Sequence, residues 1–306
     1  MDTLHFIEAE FPWFLSSFAF VMGSIVGSFL NVCIYRIPAG KSVVSPGSTC
    51  ACGQAIKWFD NIPILSWFIL RGRARCCGAA YSFRYPFVEA LTGFLFLAAW
   101  LSQSPFKALC LMLFAAMLVC ASFIDFDHME IPDRFSIGLA VIGFAISVLI
   151  PELHDIPRSQ FASASVQSGF ESALGILIGS GTILWIGLLA ESILRKEAMG
   201  FGDVKLLGGI GAFLGWQGAI FSIFGGALIG CLGMLVWSIV RKLRPQPETP
   251  HQRANTSEEN EEELQGHIPF GPMLASGALL YAFLLESPVL TYFAQFEELF
   301  RQISQG

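Results

Sequence analysis

Charged residues are scarce in this sequence. Only 14% of the 306 residues are Asp, Glu, Lys or Arg, whereas 54% are hydrophobic, and the mean hydropathy is +0.61. A soluble domain carries about a quarter charged residues, so the composition argues against that class and favours a polytopic membrane protein. The net charge is −6, and nothing in the sequence suggests a nucleic-acid surface.

The N-terminus also lacks the basic residues that open a cleaved secretory signal. Asp2, Glu8 and Glu10 precede the first apolar run instead. We therefore expect this run to be retained as a helix.

The apolar residues form segments that match the length of a membrane span, which is about 20 residues. The sequence predicts an all-α membrane protein with about eight transmembrane helices. Val204–Trp216 is unusual, because about 11 apolar residues at about 1.5 Å each reach only half way across. Its four glycines suggest close helix packing. The eight segments are Phe14–Tyr35, Phe87–Leu101, Phe106–Ile124, Phe135–Ile150, Ala173–Leu194, Val204–Trp216, Ala219–Val240 and Met273–Leu285.

Basic residues indicate the orientation. The stretch Arg36–Tyr85 carries seven Lys or Arg residues and a single acid, Asp60, so the positive-inside rule places it in the cytoplasm and both termini outside. Three parts follow: residues 1–35 with the first helix, residues 36–86 as a cytoplasmic Cys-containing loop, and residues 87–306 as the membrane-embedded core. Within the core, residues 245–266 are rich in Glu and predict a flexible cytoplasmic linker.

Two acids far apart in sequence are predicted to lie at one membrane face. Asp125, in "IDFDHMEIPD", directly ends an apolar helix and is deeper than Asp127. Asp203, in "MGFGDVKLL", follows a two-glycine turn whose glycines can adopt backbone angles closed to other residues. Asp203 either caps the helix that follows or lines a wet cavity. Lys205 either changes the acidity of such a carboxyl group or extends its ammonium to the membrane–water interface.

The residues around Asp125 have simpler interpretations. Pro132 ends any helix that reaches it, and Asp133 is predicted to cap the next one. Glu130 and His128 are expected to be solvated, and a lone His is a poor sign of a metal site.

Paired carboxylates suit peptide hydrolysis. Two that share a site do not both ionise cheaply, so one holds a proton. The ionised group then takes a proton from water, and the protonated group polarises the scissile carbonyl. No Ser–His or Cys–His pairing stands out as a competing nucleophile.

Six blocks in order resemble the type IV prepilin peptidases, polytopic aspartyl proteases with a GxGD signature. They are "GSFLNVCIYRIP", "IKWFDNIPILSWFILRGR", "YSFRYPFVEALTG", "FIDFDHMEIPD", "MGFGDVKLLGGIGAFLG" and "IPFGPMLASG". The resemblance implies a catalytic pair of Asp125 and Asp203 in the bacterial inner membrane, with the active site facing the cytoplasm. It implies cleavage of type IV prepilin or type II secretion pseudopilin leaders after Gly. It also implies methylation of the new N-terminus with S-adenosylmethionine.

The sequence departs from that family in its cysteines. The family's loop carries two CxxC pairs, whereas here the spacings are Cys50-Ala-Cys52 and Cys76 beside Cys77. Four thiols in one loop permit a structural zinc site, reduced free thiols or disulfides.

Two polar residues near the loop have open roles. Asn31 is either a buried contact between helices or part of the methyl-transfer site. Glu89 either orients a substrate amine or pairs with Arg84 or Arg36.

Two other classes of function compete with the peptidase. A proton- or metal-coupled transporter would use intramembrane carboxylates near mid-membrane and related sequence halves, but we see no convincing repeat. A non-catalytic component of a pilus or secretion machine would need neither acid.

Overall fold

The computed structural model describes residues 10–195, 200–243 and 269–305, and the predicted linker lies outside them. Among these residues the only β pairings are two isolated bridges, which confirms the all-α class. The helices are α1 Pro12–Arg36, α2 Leu65–Ile69, α3 Arg84–Ser102, α4 Pro105–His128, α5 Asp133–Leu149, α6 Phe161–Leu194, α7 Phe201–Leu243, α8 Gly271–Leu280 and α9 Glu286–Gln305. Short 3-10 turns cover Trp58–Asn61, Pro151–His154 and Arg158–Gln160, and a π-helical turn covers Tyr281–Leu285.

Six helical stretches of the described chain are long and apolar enough to cross a membrane. They correspond to α1, α3, α4, α6, α7 and the run from α8 into α9. The expected number of eight stays a prediction, because α5 has only 17 residues and α7 contains a break at Gly215.

The break at Gly215 divides α7 into two parts. Gly215 has φ 68° and ψ −178°, a conformation that favours glycine. A Cβ atom built there would lie 4.0 Å from Nδ1 of His154, in the turn that follows α5. Residues 201–214 therefore reach the far end of α5. The helix starts at Phe201 rather than Val204, so the part before the break has 14 residues and is about 21 Å long.

Helix α4 is the most buried of the six. Pro105 starts it, since proline is preorganised for the first helical turn. It ends where Met129 turns into the left-handed region (φ 55°) and its amide bonds to the carbonyl of Asp125. This termination leaves Asp125 in the last turn of the central helix.

Small residues bring the helices into close contact. A Cβ on Gly27 of α1 would lie 2.7 Å from Cα of Glu89 in α3, and Gly209 of α7 packs equally closely against Leu139 of α5. Gly211 faces the backbone of Gly175 in α6. The close packing predicted for the α7 glycines is confirmed.

A buried ion cluster closes the other end of α4. Lys107 is 2% exposed and donates to Asp155 at 2.6 Å and to Glu286 at 2.9 Å. Eighteen residues separate Lys107 from Asp125, about 27 Å along the helix. The cluster therefore lies far from the aspartate pair.

Candidate active site

Three helix ends meet around Asp125: the end of α4, the start of α7 and the start of α8. The Gly271 amide donates to Asp125 Oδ2 at 3.1 Å. Ile131 lies between the ends, because Cβ atoms built on Gly271 and Gly202 would be 2.9 Å and 3.4 Å from it. Asp203 follows Gly202. The two acids that the sequence placed at one face thus belong to one site.

Both carboxylates are shielded from solvent, with Asp125 5% and Asp203 9% exposed. Ile131 packs on both Gly202, which precedes Asp203, and Gly271, which binds Asp125, so the two acids are close neighbours. Two carboxylates in this relationship can share one proton, as general acid–base chemistry on a peptide bond requires.

In "MGFGD", Gly202 is needed for space rather than for a special backbone angle. It is not among the described residues with positive φ. Gly202 instead gives room for Ile131. Asp203 is the third residue of α7, inside its first turn rather than before it.

The neighbouring ion pair corrects a second prediction. Asp133 does not cap α5, because the N-cap residue is Pro132 and no side chain caps that end. The Asp133 carboxylate accepts from Lys205 Nζ at 2.6 Å instead. Lys205 therefore binds the rim of the site rather than Asp203.

Arg84 is a residue whose link to this site the sequence reasoning missed. It donates to Asp127 Oδ1 at 2.7 Å and to the Phe123 carbonyl at 3.3 Å, and its guanidinium lies 4.9 Å from the Phe123 ring centre. These contacts join the start of α3 to the last turns of α4, on both sides of Asp125. Gly271 was also missed, although the Gly-Pro pair at the start of a helix was a usable signal.

Glu89 does not pair with either arginine, so that alternative is wrong. Arg84 is bound as described, and Arg36 donates to the carbonyls of Ser42 and Gly47. Glu89 Oε2 accepts from the Ile64 amide at 2.7 Å.

Asn31 makes the interhelical contact that was one of its two expected roles. Its Nδ2 donates to the Tyr85 carbonyl at 3.1 Å. The contact joins α1 to the first turn of α3.

The four loop cysteines form one cluster despite their irregular spacing. Their Sγ atoms all lie within 4.8 Å of one another, with Cys50–Cys77 at 3.5 Å and Cys52–Cys76 at 3.4 Å. All four are free thiols, so the disulfide alternative is not realised. Tetrahedral zinc with Zn–S bonds of about 2.3 Å needs sulfur atoms about 3.8 Å apart. The cluster fits a metal ion of that kind.

Two tight turns present these thiols. Gly53 follows Cys52 with φ 84°, and Gly78 follows Cys77 with φ 71°. Hydrogen bonds from the Cys52 amide and from neighbouring thiols lower the pKa of Cys50 to about 7. A thiol that ionises near neutral pH is a ready metal ligand.

The fold and the site together define an α-helical membrane protein with a paired-aspartate site at one end of its helices. Two family models match the chain: the Bacterial Peptidase A24 N-terminal domain over residues 21–103 and the Type IV leader peptidase family over residues 112–235. The chain belongs to the type IV leader peptidase family.

Curated relatives extend this match to most of the chain. A prepilin leader peptidase/N-methyltransferase of Pectobacterium carotovorum subsp. carotovorum is 34% identical over 91% of this chain and 96% of its own length. A type 4 prepilin-like proteins leader peptide-processing enzyme of Escherichia coli O78:H11 is 33% identical over 90% and 96%. A prepilin leader peptidase/N-methyltransferase of Myxococcus xanthus is 35% identical over 71% of this chain and 63% of its own length. No solved structure matches the chain.

Proposed function

We propose that this protein is a membrane aspartyl endopeptidase that removes the leader of type IV prepilins or type II secretion pseudopilins after Gly. It then methylates the new N-terminal residue. The observation that carries the proposal is the convergence of Asp125 and Asp203 in a family named for leader cleavage.

The geometry suggests how the pair would act. The ionised member takes a proton from water, which attacks the scissile carbonyl, and the protonated member polarises the carbonyl oxygen. The Gly271 amide holds Asp125 Oδ2, so that one oxygen of this carboxylate has a fixed direction. Burial of both groups limits competing water.

The proposed setting is the bacterial inner membrane with the site facing the cytoplasm. Arg36 ends α1 and Arg84 begins α3, one near each end of the Cys-containing loop, and the positive-inside rule assigns that side to the cytoplasm. Asp125 lies at the same end, because Arg84 is bonded to its helix. The partners are a prepilin or pseudopilin and the lipid bilayer.

We assign the cysteine cluster to Zn²⁺ as a structural ion. Cys50, Cys52, Cys76 and Cys77 would hold it, and their mutual distances fit. Such an ion supplies folding energy to the loop rather than chemistry to the peptide bond.

The methyl donor proposed for the second activity is S-adenosylmethionine. A cavity of about 320 Å³ lies between α1 and the loop, within the range of small-molecule sites. Its lining mixes polar and apolar groups, among them Ser28, Phe29 and Asn61. The donor would supply the methyl group, and this cavity would hold it.

Leader cleavage by purified enzyme tests the proposal. Asp125→Asn and Asp203→Asn are each expected to abolish cleavage of a prepilin substrate, while the exposed carboxylate variant Glu130→Gln cleaves at the wild-type rate. Correctly inserted Asp125→Asn or Asp203→Asn protein that still cleaves normally would refute it. The transporter alternative has no support from the comparisons, and a non-catalytic scaffold would cleave nothing in this assay.

A further inference from the structure

Glu89 is a buried carboxylate that the aspartate site does not use. It is 9% exposed and lies where α1 and α3 pack closely, opposite Gly27. It accepts a hydrogen bond from the Ile64 amide at 2.7 Å, and Ser28 follows Gly27 on the facing helix. The amide is a neutral donor, and none of the ion pairs among the described residues includes Glu89. A buried carboxylate usually has a cationic partner, so this one is set up to receive a cation from a ligand.

The backbone next to Glu89 is strained at Ile64, and the Glu89 carboxylate stabilises this conformation. Ile64 has φ 64° and ψ −56°, which a β-branched residue adopts only at a cost. Its amide is the one that binds Glu89 Oε2. The carboxylate thereby fixes the position of the preceding Pro63. Strain of this kind concentrates at ligand sites.

Glu89 borders the cavity between α1 and the loop. Ser28 and Pro63 both line that cavity. Ser28 follows Gly27, which packs against Glu89, and Pro63 precedes the Ile64 amide that binds Glu89. Arg36 also lines the cavity, and its guanidinium donates to the Ser42 and Gly47 carbonyls. The α1 side of the cavity is otherwise apolar. It is lined by Ile25, Phe29 and Val32.

Helix α3 also brings Glu89 near the aspartate site. Arg84, five residues before Glu89, is bonded to Asp127 on the helix that carries Asp125. Five residues correspond to about 7.5 Å along a helix axis. Glu89 therefore lies on the α1 side of α3, within two helical turns of the residue that contacts the aspartate-bearing helix.

We propose that Glu89, with Ser28, binds the free amino terminus of the processed substrate and presents it for methylation. This inference rests on the proposed function. An ammonium carries three N–H donors, and a carboxylate and a hydroxyl accept from it. Methylation needs the neutral amine, so the bound ammonium would first pass one proton to the Glu89 carboxylate. The amine lone pair would then form the new N–C bond as the donor's methyl–sulfur bond breaks, and the sulfur would leave as a neutral thioether. The apolar α1 side suits the apolar segment that follows the new N-terminus.

Peptide binding without any methyl donor tests the site directly. The probe is a synthetic peptide with the sequence of the processed N-terminus, compared with its N-acetylated form. Wild-type enzyme is expected to prefer the free amine by about tenfold or more, as a charge-assisted hydrogen bond allows. Glu89→Gln removes this preference, and Ser28→Ala reduces it. Glu130→Gln leaves it unchanged.

The second measurement compares the two activities in each variant. Glu89→Gln is expected to cleave within about twofold of wild type while methylation falls at least tenfold, and retained cleavage shows that the variant is folded. Asn31→Ala removes a structural hydrogen bond at the same helix interface without changing charge, and it is expected to keep the preference for the free amine.

Three results would overturn the inference. In the first, Glu89→Gln keeps the wild-type preference for the free amine. In the second, Asn31→Ala loses as much of this preference as Glu89→Gln does. In the third, Glu89→Gln weakens the binding of S-adenosylmethionine and leaves peptide binding unchanged. If Glu89→Gln loses cleavage too, the preference measured for Ser28→Ala decides between the site and a folding defect. A wild-type enzyme that neither cleaves nor methylates would refute the proposed function, a result distinct from all of these.

Discussion

The amide of Gly271 and the carboxylate of Asp125 are 146 residues apart in sequence and 3.1 Å apart in the structure. The contact orients one oxygen of a buried acid from the first turn of another helix. It also leaves no room for a side chain, since a Cβ on Gly271 would lie 2.6 Å from Asp125 Oδ2.

Gly271→Ala is therefore expected to displace the Asp125 carboxylate. We expect leader cleavage to fall by about 10²-fold, because a misplacement of about 1 Å is enough for a loss of that size. The measurement is the cleavage rate of purified enzyme at saturating substrate. Gly181→Ala is the matched control, since a Cβ there meets nothing within 4 Å. Full activity in Gly271→Ala would show that this contact does not position Asp125.

Arg84→Lys is expected to reduce cleavage nearly as much as Arg84→Gln. Lysine keeps the charge but not the planar fork that reaches both Asp127 and the Phe123 carbonyl. Because the lost contacts hold the end of α4, we expect kcat to fall about tenfold with little change in KM. Arg134→Gln, at an exposed position, serves as the control. If Arg84→Lys cleaved at the wild-type rate, the positive charge of Arg84 and not its planar shape would account for its role.

The cysteine cluster is expected to bind one zinc ion per chain. Elemental analysis of protein purified without chelator measures this directly, and Cys52→Ser is expected to lower the content by more than half. Cys231→Ser, which changes a cysteine on α7 outside the cluster, should leave it unchanged. Removing the metal is expected to make the loop more sensitive to protease, because the ion stabilises the loop fold. Metal-free wild-type protein with an unchanged digestion pattern would contradict this role.

Stability is expected to fall in acid through His154. Burial, with the nearby charge of Lys107, lowers the pKa of His154 to about 4, against about 6.5 in an unfolded chain. Between these values the unfolded chain binds the extra proton, so stability decreases as the pH drops from about 6.5 to 4 and levels off below. The nearby Asp155 acts in the opposite direction but more weakly than Lys107.

Thermal unfolding measured from pH 7 to pH 4 checks this prediction. His154→Gln is expected to flatten part of the decline in Tm, whereas His128→Gln, at an exposed position, leaves its slope unchanged. An identical slope in wild type and His154→Gln would assign the acid sensitivity to other groups.

The sequence was sufficient to place Asp125 and Asp203 at one face, because hydropathy and the basic residues indicate which ends of their helices lie together. Those signals do not fix how a helix is rotated or which helix is its neighbour. The contact of Gly271 with Asp125 and the binding of Lys205 to Asp133 depend on rotation and neighbours, so they appeared only in the structure.

The cysteines show a related limit. The spacing of Cys50, Cys52, Cys76 and Cys77 departs from the usual pairs, yet two glycine turns bring the sulfur atoms together. Metal ligands are selected by position in space, and sequence spacing is only an indirect measure of it.

The break at Gly215 affects how many times the chain crosses the membrane before its last helix. The run from Phe201 to Val240 has the composition of one long span, and a straight helix through Gly215 would deliver the following chain to the opposite side of the membrane. The last helix would then begin about a membrane thickness away from Asp125, and the Gly271 amide would be out of reach. A single glycine thus decides from which side the final helix enters, and with it whether the aspartate site can be completed.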